Sequence, residues 1–361
     1  MKQTKKDIRL ISKEDLQKFL VSQNEKPFRA KQIEEWIWQK SITSFEQMTN
    51  LSSALRKLLE ENFSFYPVQT KVFQTSKDRT IKFALSLHDH HIIEAVLIPT
   101  KTRMTVCVSS QVGCSLSCSF CATGRMERKR NLDYPEIYDQ VVIVNKMAIE
   151  KYGIPLSNIV FMGMGEPLLN YNNVNSAIEK ITCPEGLNMS PKRITVSTAG
   201  IAKMIKKLGD DGVKFNLALS LHAPNDEKRN KIMAINEQNT LEVLADALKY
   251  FYQKTENEIT FEYCVFKNFN DSLQDAAELV QFCKHVPCKV NLIEYNPIDG
   301  GEFVNADEDR LEDFKNFLEK REIITNIRRS RGKDIDAACG QLANKNHEQL
   351  SSSNISPSDK V

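Results

Sequence analysis

Between residues 105 and 295 the sequence repeats one scheme six times: a short apolar run, a polar loop, then a long amphipathic stretch. The runs are TVCVSS (105–110), NIVFMGM (158–164), RITVST (193–198), FNLALSL (215–221), ITFEYCVF (259–266) and KVNLIEY (289–295). Stretches such as YPEIYDQVVIVNKMAIEKYG and TLEVLADALKYFYQK separate them, with apolar residues at helical spacing. Strands alternating with helices imply parallel pairing and right-handed crossovers. The predicted fold class is therefore α/β, a partial, open (β/α)6 barrel. In the closed eight-unit relative of such a barrel, chemistry sits at the C-terminal ends of the strands. Here those ends carry GMGEP, VSTAG, SLHAP and EYNP.

The flanks read differently. From about 12 to 65, apolar residues recur at helical spacing, as in Ile33, Trp36 and Ile37. From 68 to 98 the pattern alternates, and TIKFALSL and HIIEAVLIP bracket a polar HDH turn, which predicts a hairpin. A seventh strand-like run, IITNIRR, covers 323–329. The expected organisation is a small helical accessory domain over 1–66, a β-hairpin linker over 67–100 and the barrel core over 101–300. A C-terminal strand and loop extension would follow over 301–345, with a polar, disordered tail over 346–361. No apolar run reaches membrane-spanning length, and MKQTKKDIRLISKEDL is too polar for a secretory leader, so a cytoplasmic location is expected.

The chain has nine cysteines, an odd number that argues against a disulfide scaffold. Three fall in one tight group, Cys114-x3-Cys118-x2-Cys121, on the loop that follows the first barrel run. Three thiolates can ligate three irons of a four-iron cluster and leave the fourth iron open. An open iron can chelate the amino and carboxylate groups of S-adenosylmethionine and pass it an electron. The competing reading is a zinc site that recruits Cys107 as a fourth ligand. Zinc ribbons pair CxxC with a second CxxC, and no second pair exists here. Cys183, Cys264, Cys283 and Cys288 lack ligand spacing and read as core thiols.

Gly163, Gly165 and Glu166 in GMGEP offer close backbone approach and a carboxylate for a cofactor amino group. Ser197 in VSTAG, Ser220, Leu221 and His222 in SLHAP, and Asn296 in EYNP stand at successive strand ends. Each alone reads as a turn residue; in register around one barrel mouth they read as cofactor contacts. The net charge of +2 says little about partners, but its distribution says more. Arg125, Arg128, Lys129 and Arg130 follow the cysteine group, and Arg328, Arg329, Arg331 and Lys333 lie near the C-terminus. Two basic clusters flanking one site favour a polyanionic substrate. PFRAKQIEEWIWQK fits either a core helix or one that also touches RNA backbone.

Taken together, PFRAKQIEEW, CVSSQVGCSLSCSFCATG, GMGEPLLNY, ITVSTAG, LALSLHAPND and RRSRGKDIDAACGQLA resemble the RlmN/Cfr family of radical S-adenosylmethionine RNA methyltransferases. The resemblance covers nearly the whole chain. It implies methyl transfer to an aromatic ring carbon of adenine, which is electrophilic at C2 and cannot attack a sulfonium methyl directly. It further implies two cofactor molecules per turnover and S-methylation of Cys339. A radical on that methyl group would then add to adenine. Cys107 would remove the ring proton and resolve the adduct through a transient Cys107–Cys339 disulfide. Glu94 matches the family's proposed proton acceptor.

The family divides by target carbon: C2 of an adenine in 23S rRNA, and of the adenine beside the tRNA anticodon, or C8 of the same ribosomal adenine. The RRSRG run before Cys339 resembles the C2 branch. The resemblance implies a monomer served by an electron donor such as flavodoxin or ferredoxin. Two other classes stay open at this point: a radical maturase acting on protein, which needs neither Cys107 nor Cys339, and a non-catalytic metal-binding RNA module.

Overall fold

The computed structural model describes residues 5–344, so the polar tail over 346–361 lies outside the described residues. Ten strands form one sheet and lie side by side in chain order. They are β1 (Gln69–Thr75), β2 (Ile81–Ser86), β3 (Ile92–Pro99), β4 (Met104–Cys107), β5 (Asn158–Phe161), β6 (Ile194–Thr198), β7 (Asn216–Ser220), β8 (Ile259–Val265), β9 (Cys288–Glu294) and β10 (Thr325–Arg328). Strands β1 to β4 are antiparallel, and β4 to β10 are parallel. The six predicted barrel strands and the seventh strand-like run thus pair as a parallel α/β sheet. The predicted hairpin, β2 and β3, is continuous with the barrel rather than a separate linker. Val96 on β3 pairs with Cys107 on β4, and β1 adds an outer strand.

Parallel strands covered on both faces need apolar residues at every position. Strand β8 is buried along its whole length, with Thr260 and Glu262 interrupting its apolar residues, whereas β1 at the edge is exposed or half-buried throughout. Between the strands run α4 (Tyr134–Tyr152), α5 (Tyr171–Thr182), α6 (Ala202–Asp210), α7 (Asp226–Ile232), α8 (Leu241–Thr255), α9 (Leu273–Cys283) and α10 (Glu308–Glu319). Local signals set their ends. Asp133 and Glu136 form a capping box at the start of α4, Pro135 sits in its first turn, and Gly153 at φ 68 terminates it. Among the described residues, no helix is long and apolar enough to cross a membrane.

The N-terminal helices α1 (Lys13–Ser22), α2 (Arg29–Glu34) and α3 (Ser53–Asn62) form a small unit held to the barrel through Arg9. Its guanidinium donates to both oxygens of Asp139 on α4 at 2.8 Å, to Asp7 and to the Tyr66 carbonyl. Trp38 is buried, while Trp36 is half-buried with the Lys40 ammonium 3.6 Å above its ring.

After β10 the chain returns across the sheet. The Gly332 N–H donates to Asp78 at 3.0 Å, and the Ser76 hydroxyl donates to Asp334 at 2.5 Å. The N–H of Ala343 then donates to Glu94 at 2.9 Å. This return brings the loop around Cys339 over the barrel mouth.

Candidate active site

Cys114, Cys118 and Cys121 lie on the loop after β4, at the C-terminal side of the parallel strands. All three line one cavity. Its other walls include Gly165, Glu166, Ser197, Ser220 and His222, which come from the ends of β5, β6 and β7. Burial pushes the Cys114 thiol up to about 11 and raises Cys118 and Cys121 as well. Only a positive centre holds such thiols as thiolates. Among the described residues, no three His, Cys, Asp or Glu side chains converge on a single ion. Cys107, the fourth zinc ligand considered above, does not line this cavity. Three half-buried thiols on the wall of one cavity supply the donor set of a four-iron cluster with one open iron.

Each strand-end residue has a local reason for its position. Gly165 has φ +94, and a Cβ there would lie 2.5 Å from the Gln111 side chain. The Glu166 N–H accordingly donates to Gln111 Oε1 at 2.9 Å. The Glu166 carboxylate accepts from the Leu168 N–H at 3.0 Å and the Ala199 N–H at 2.7 Å, which ties β5 to the end of β6. The hydroxyls of Ser197 and Ser220 are 3.2 Å apart. Gly165→Ala is expected to cost roughly 2–3 kcal/mol through backbone strain and overlap, read as a lowered thermal midpoint in calorimetry.

His222 lines the cavity with φ 56, and its Nδ1 accepts from the Cys264 N–H at 3.0 Å. Burial and the nearby Arg229 push its pKa down to about 3, so the ring is neutral. The Phe120 ring meets it edge-on at 4.8 Å. Leu221 and Asn296, expected as cofactor contacts, do not line the cavity. Leu221 is fully buried and bonded through its backbone to Glu262 and Arg229. The Asn296 amide donates to the Cys339 carbonyl at 3.2 Å, so it anchors the C-terminal loop.

Cys339 is exposed at the wall shared by this cavity and a second one. The second cavity is lined by Val96, Ile98, Arg103, Cys107 and Arg331, among others. Burial and then the neighbouring Cys339 thiol push Cys107 up to about 12, while the Met162 amide and Arg328 act the other way. Glu94 lines neither cavity. It is buried beside Lys82 at 3.6 Å and accepts from the N–H groups of Ala343 and Asn344.

Two further residues line the site although sequence reading gave them other roles, Arg328 in a basic cluster and Cys264 in the core. Arg328 lines both cavities and donates to Glu262 on β8 at 2.8 Å. Cys264, read from sequence as a core thiol, lines the first cavity. The basic clusters are largely paired internally. Arg130 binds Asp89 and Glu136, Arg329 binds Glu294 and Glu308, and Lys333 binds Glu294.

Residues 7–64 match the family model of the ribosomal RNA large subunit methyltransferase N-terminal domain, and residues 108–280 match that of the radical SAM superfamily. A probable dual-specificity RNA methyltransferase RlmN from Cytophaga hutchinsonii is 60% identical over 341 residues, covering 94% of this chain and 93% of that protein. A protein of the same description from Flavobacterium psychrophilum is 57% identical over 341 residues, covering 94% of this chain and 98% of its own length. The crystal structure of a radical SAM methyltransferase from Sphaerobacter thermophilus superposes with a TM-score of 0.88 at 37% identity, covering 93% of this chain and 99% of that one.

Proposed function

Because the chain belongs to the RlmN family of radical S-adenosylmethionine RNA methyltransferases, we propose that it methylates C2 of an adenine in 23S rRNA and of the adenine beside the tRNA anticodon. The observation that carries this reading is the position of Cys339 on the wall between the two cavities. One cavity holds the three thiols of the cluster motif, and the other holds Cys107.

Cys114, Cys118 and Cys121 would hold the cluster, with Gly165, Glu166, Ser197, Ser220 and His222 around the S-adenosylmethionine bound to it. Leu221 and Asn296 support that pocket from behind. When bound, the cluster and its cofactor supply a hydrogen-abstracting radical. Cys339 takes a methyl group from a first cofactor molecule by displacement at the sulfonium carbon. With cofactor held in the cluster cavity, the S-methyl group on Cys339 would give up a hydrogen atom to that radical, and the resulting carbon radical would add to the adenine ring. That base enters from the Cys107 side, where Arg103 and Arg331 line the approach. Once the adduct radical has given up its unpaired electron to the cluster that supplied one, Cys107 would remove the ring proton and attack the Cys339 sulfur. The S–CH2 bond would break, the released carbon would take up a proton to become methyl, and the Cys107–Cys339 disulfide would be reopened by two electrons from the reducing partner. Glu94 stands on the same face of the sheet as Cys107, one pair along from Val96, and burial raises its affinity for a proton. It is the carboxylate to which that proton would pass.

The helical unit over 1–66 serves as the RNA-contacting accessory and 301–345 as the carrier extension. The enzyme acts as a cytoplasmic monomer reduced by a flavodoxin or ferredoxin. The test is anaerobic reconstitution with cofactor, reductant and an unmethylated ribosomal RNA fragment, followed by nucleoside mass spectrometry. A 2-methyladenosine peak is expected. An 8-methyladenosine peak overturns the choice of carbon, and 5′-deoxyadenosine without either product overturns the RNA substrate.

A further inference from the structure

Helix α7 reads DEKRNKI, and one of its three charged side chains beyond the first turn's acids, Arg229, points into the barrel and is 0% exposed. Its Nε donates to the Leu221 carbonyl at 3.0 Å, and its Nη2 donates to the carbonyls of Ala199 at 2.6 Å and Ser220 at 3.2 Å. Its Nη1 donates to Asn236 Oδ1 at 2.6 Å. Every one of these acceptors is neutral. A buried guanidinium without a carboxylate partner is costly, because carbonyl dipoles replace only part of its hydration. Burial pushes its pKa down to about 10, which leaves it charged at neutral pH.

The charge lies behind the wall of the cluster cavity. Ala199 and Ser220 both line that cavity, and Arg229 interacts electrostatically with the Cys118 thiol. Asp226 also acts on Arg229, and its carboxylate is taken up by the Asn236 amide at 2.8 Å and the Leu241 N–H at 2.9 Å. A four-iron core on three thiolates is anionic and becomes more so when it gains an electron. A fixed cation nearby therefore favours the reduced state.

We infer that Arg229 is the built-in counter-charge of the iron–sulfur cluster, raising its reduction potential from behind Cys118 while its hydrogen bonds tie the ends of β6 and β7. This rests on reading Cys114, Cys118 and Cys121 as the cluster ligands. Arg229 is a positioning residue, since it touches neither cofactor nor substrate. The role differs from a purely structural one because it depends on charge as well as on hydrogen bonding.

The test is a potentiometric titration of the reconstituted full chain, without added S-adenosylmethionine, followed by electron paramagnetic resonance of the reduced cluster. In Arg229→Met, the reduced fraction at fixed potential is expected to fall about tenfold, equivalent to about 59 mV for one electron. Asp226→Asn retains an acceptor for both of its hydrogen bonds and removes the opposing charge, so its midpoint is expected to rise. Arg229→Met with wild-type iron content and an unchanged midpoint overturns the inference. If Arg229→Met takes up no iron, Asp226→Asn decides: a raised midpoint supports the counter-charge, and an unchanged one overturns it. A wild-type chain that binds no cluster overturns the ligand assignment, and the inference falls with it.

Discussion

Replacing Cys339 with alanine is expected to abolish methylation while leaving the iron–sulfur absorption of the reconstituted protein unchanged. The loop that bears Cys339 is held on several sides, and none of those bonds uses the thiol. Asn296 donates to the Cys339 carbonyl at 3.2 Å, the Ala122 N–H donates to the Gly340 carbonyl at 2.7 Å, and the Thr123 hydroxyl donates to the Leu342 carbonyl at 2.6 Å. Alanine keeps all three and removes only the sulfur. Loss of the group that carries the transferred carbon should lower turnover by a factor on the order of 10⁶, or below detection. Because the cluster thiols belong to a different loop, cofactor cleavage to 5′-deoxyadenosine should persist. Normal methylated product from this variant would remove the carrier role.

Cys107→Ala is expected to halt the reaction one step later, with protein covalently joined to RNA and retained on a denaturing gel. Cys107 lines the second cavity and senses the Cys339 thiol, so it is placed to take both the ring proton and the sulfur. Burial and then the Cys339 thiol push the Cys107 thiol up to about 12, so below that value the thiolate is the minor form. Its population grows about tenfold per pH unit, and resolution of the wild-type adduct should speed up by that factor between roughly pH 7 and pH 9. Capping Cys339 with a methyl group removes one of the two influences that raise Cys107. The Cys107 thiolate is therefore more populated once the carrier is loaded. A flat pH profile for resolution would assign proton removal to another group.

These outcomes bear on what the sequence alone could reveal. The barrel strands were legible because burial on both faces leaves uninterrupted apolar runs, and the strand-end motifs were legible because glycine and proline punctuate them. What escaped depends on partners far apart in the chain. Glu262 sits inside the apolar run ITFEYCVF and is neutralised by Arg328, 66 positions later. Arg229 is one cation among several in DEKRNKI, and nothing local distinguishes the one that turns inward from those in water. Nor does SLHAP or EYNP reveal that the Leu221 carbonyl accepts from Arg229 or that the Asn296 amide reaches the Cys339 carbonyl. The basic clusters looked like open anionic sites, yet carboxylates from other elements occupy most of them.

The order of strands in the sheet also bears on how the enzyme is made. Strands β4 to β9 follow one another in space as they do in the chain, so the cluster loop can be seated as synthesis proceeds. The Cys339 loop cannot, because its anchors join residues 254 and 249 positions apart, as in Gly332 with Asp78 and Ala343 with Glu94. A nascent chain therefore completes the half that bears Cys114, Cys118 and Cys121 before it can seat the Cys339 loop. The Cys339 loop is thus the last part of the site to be fixed, and it depends on contacts that close only when both ends of the sheet are in place.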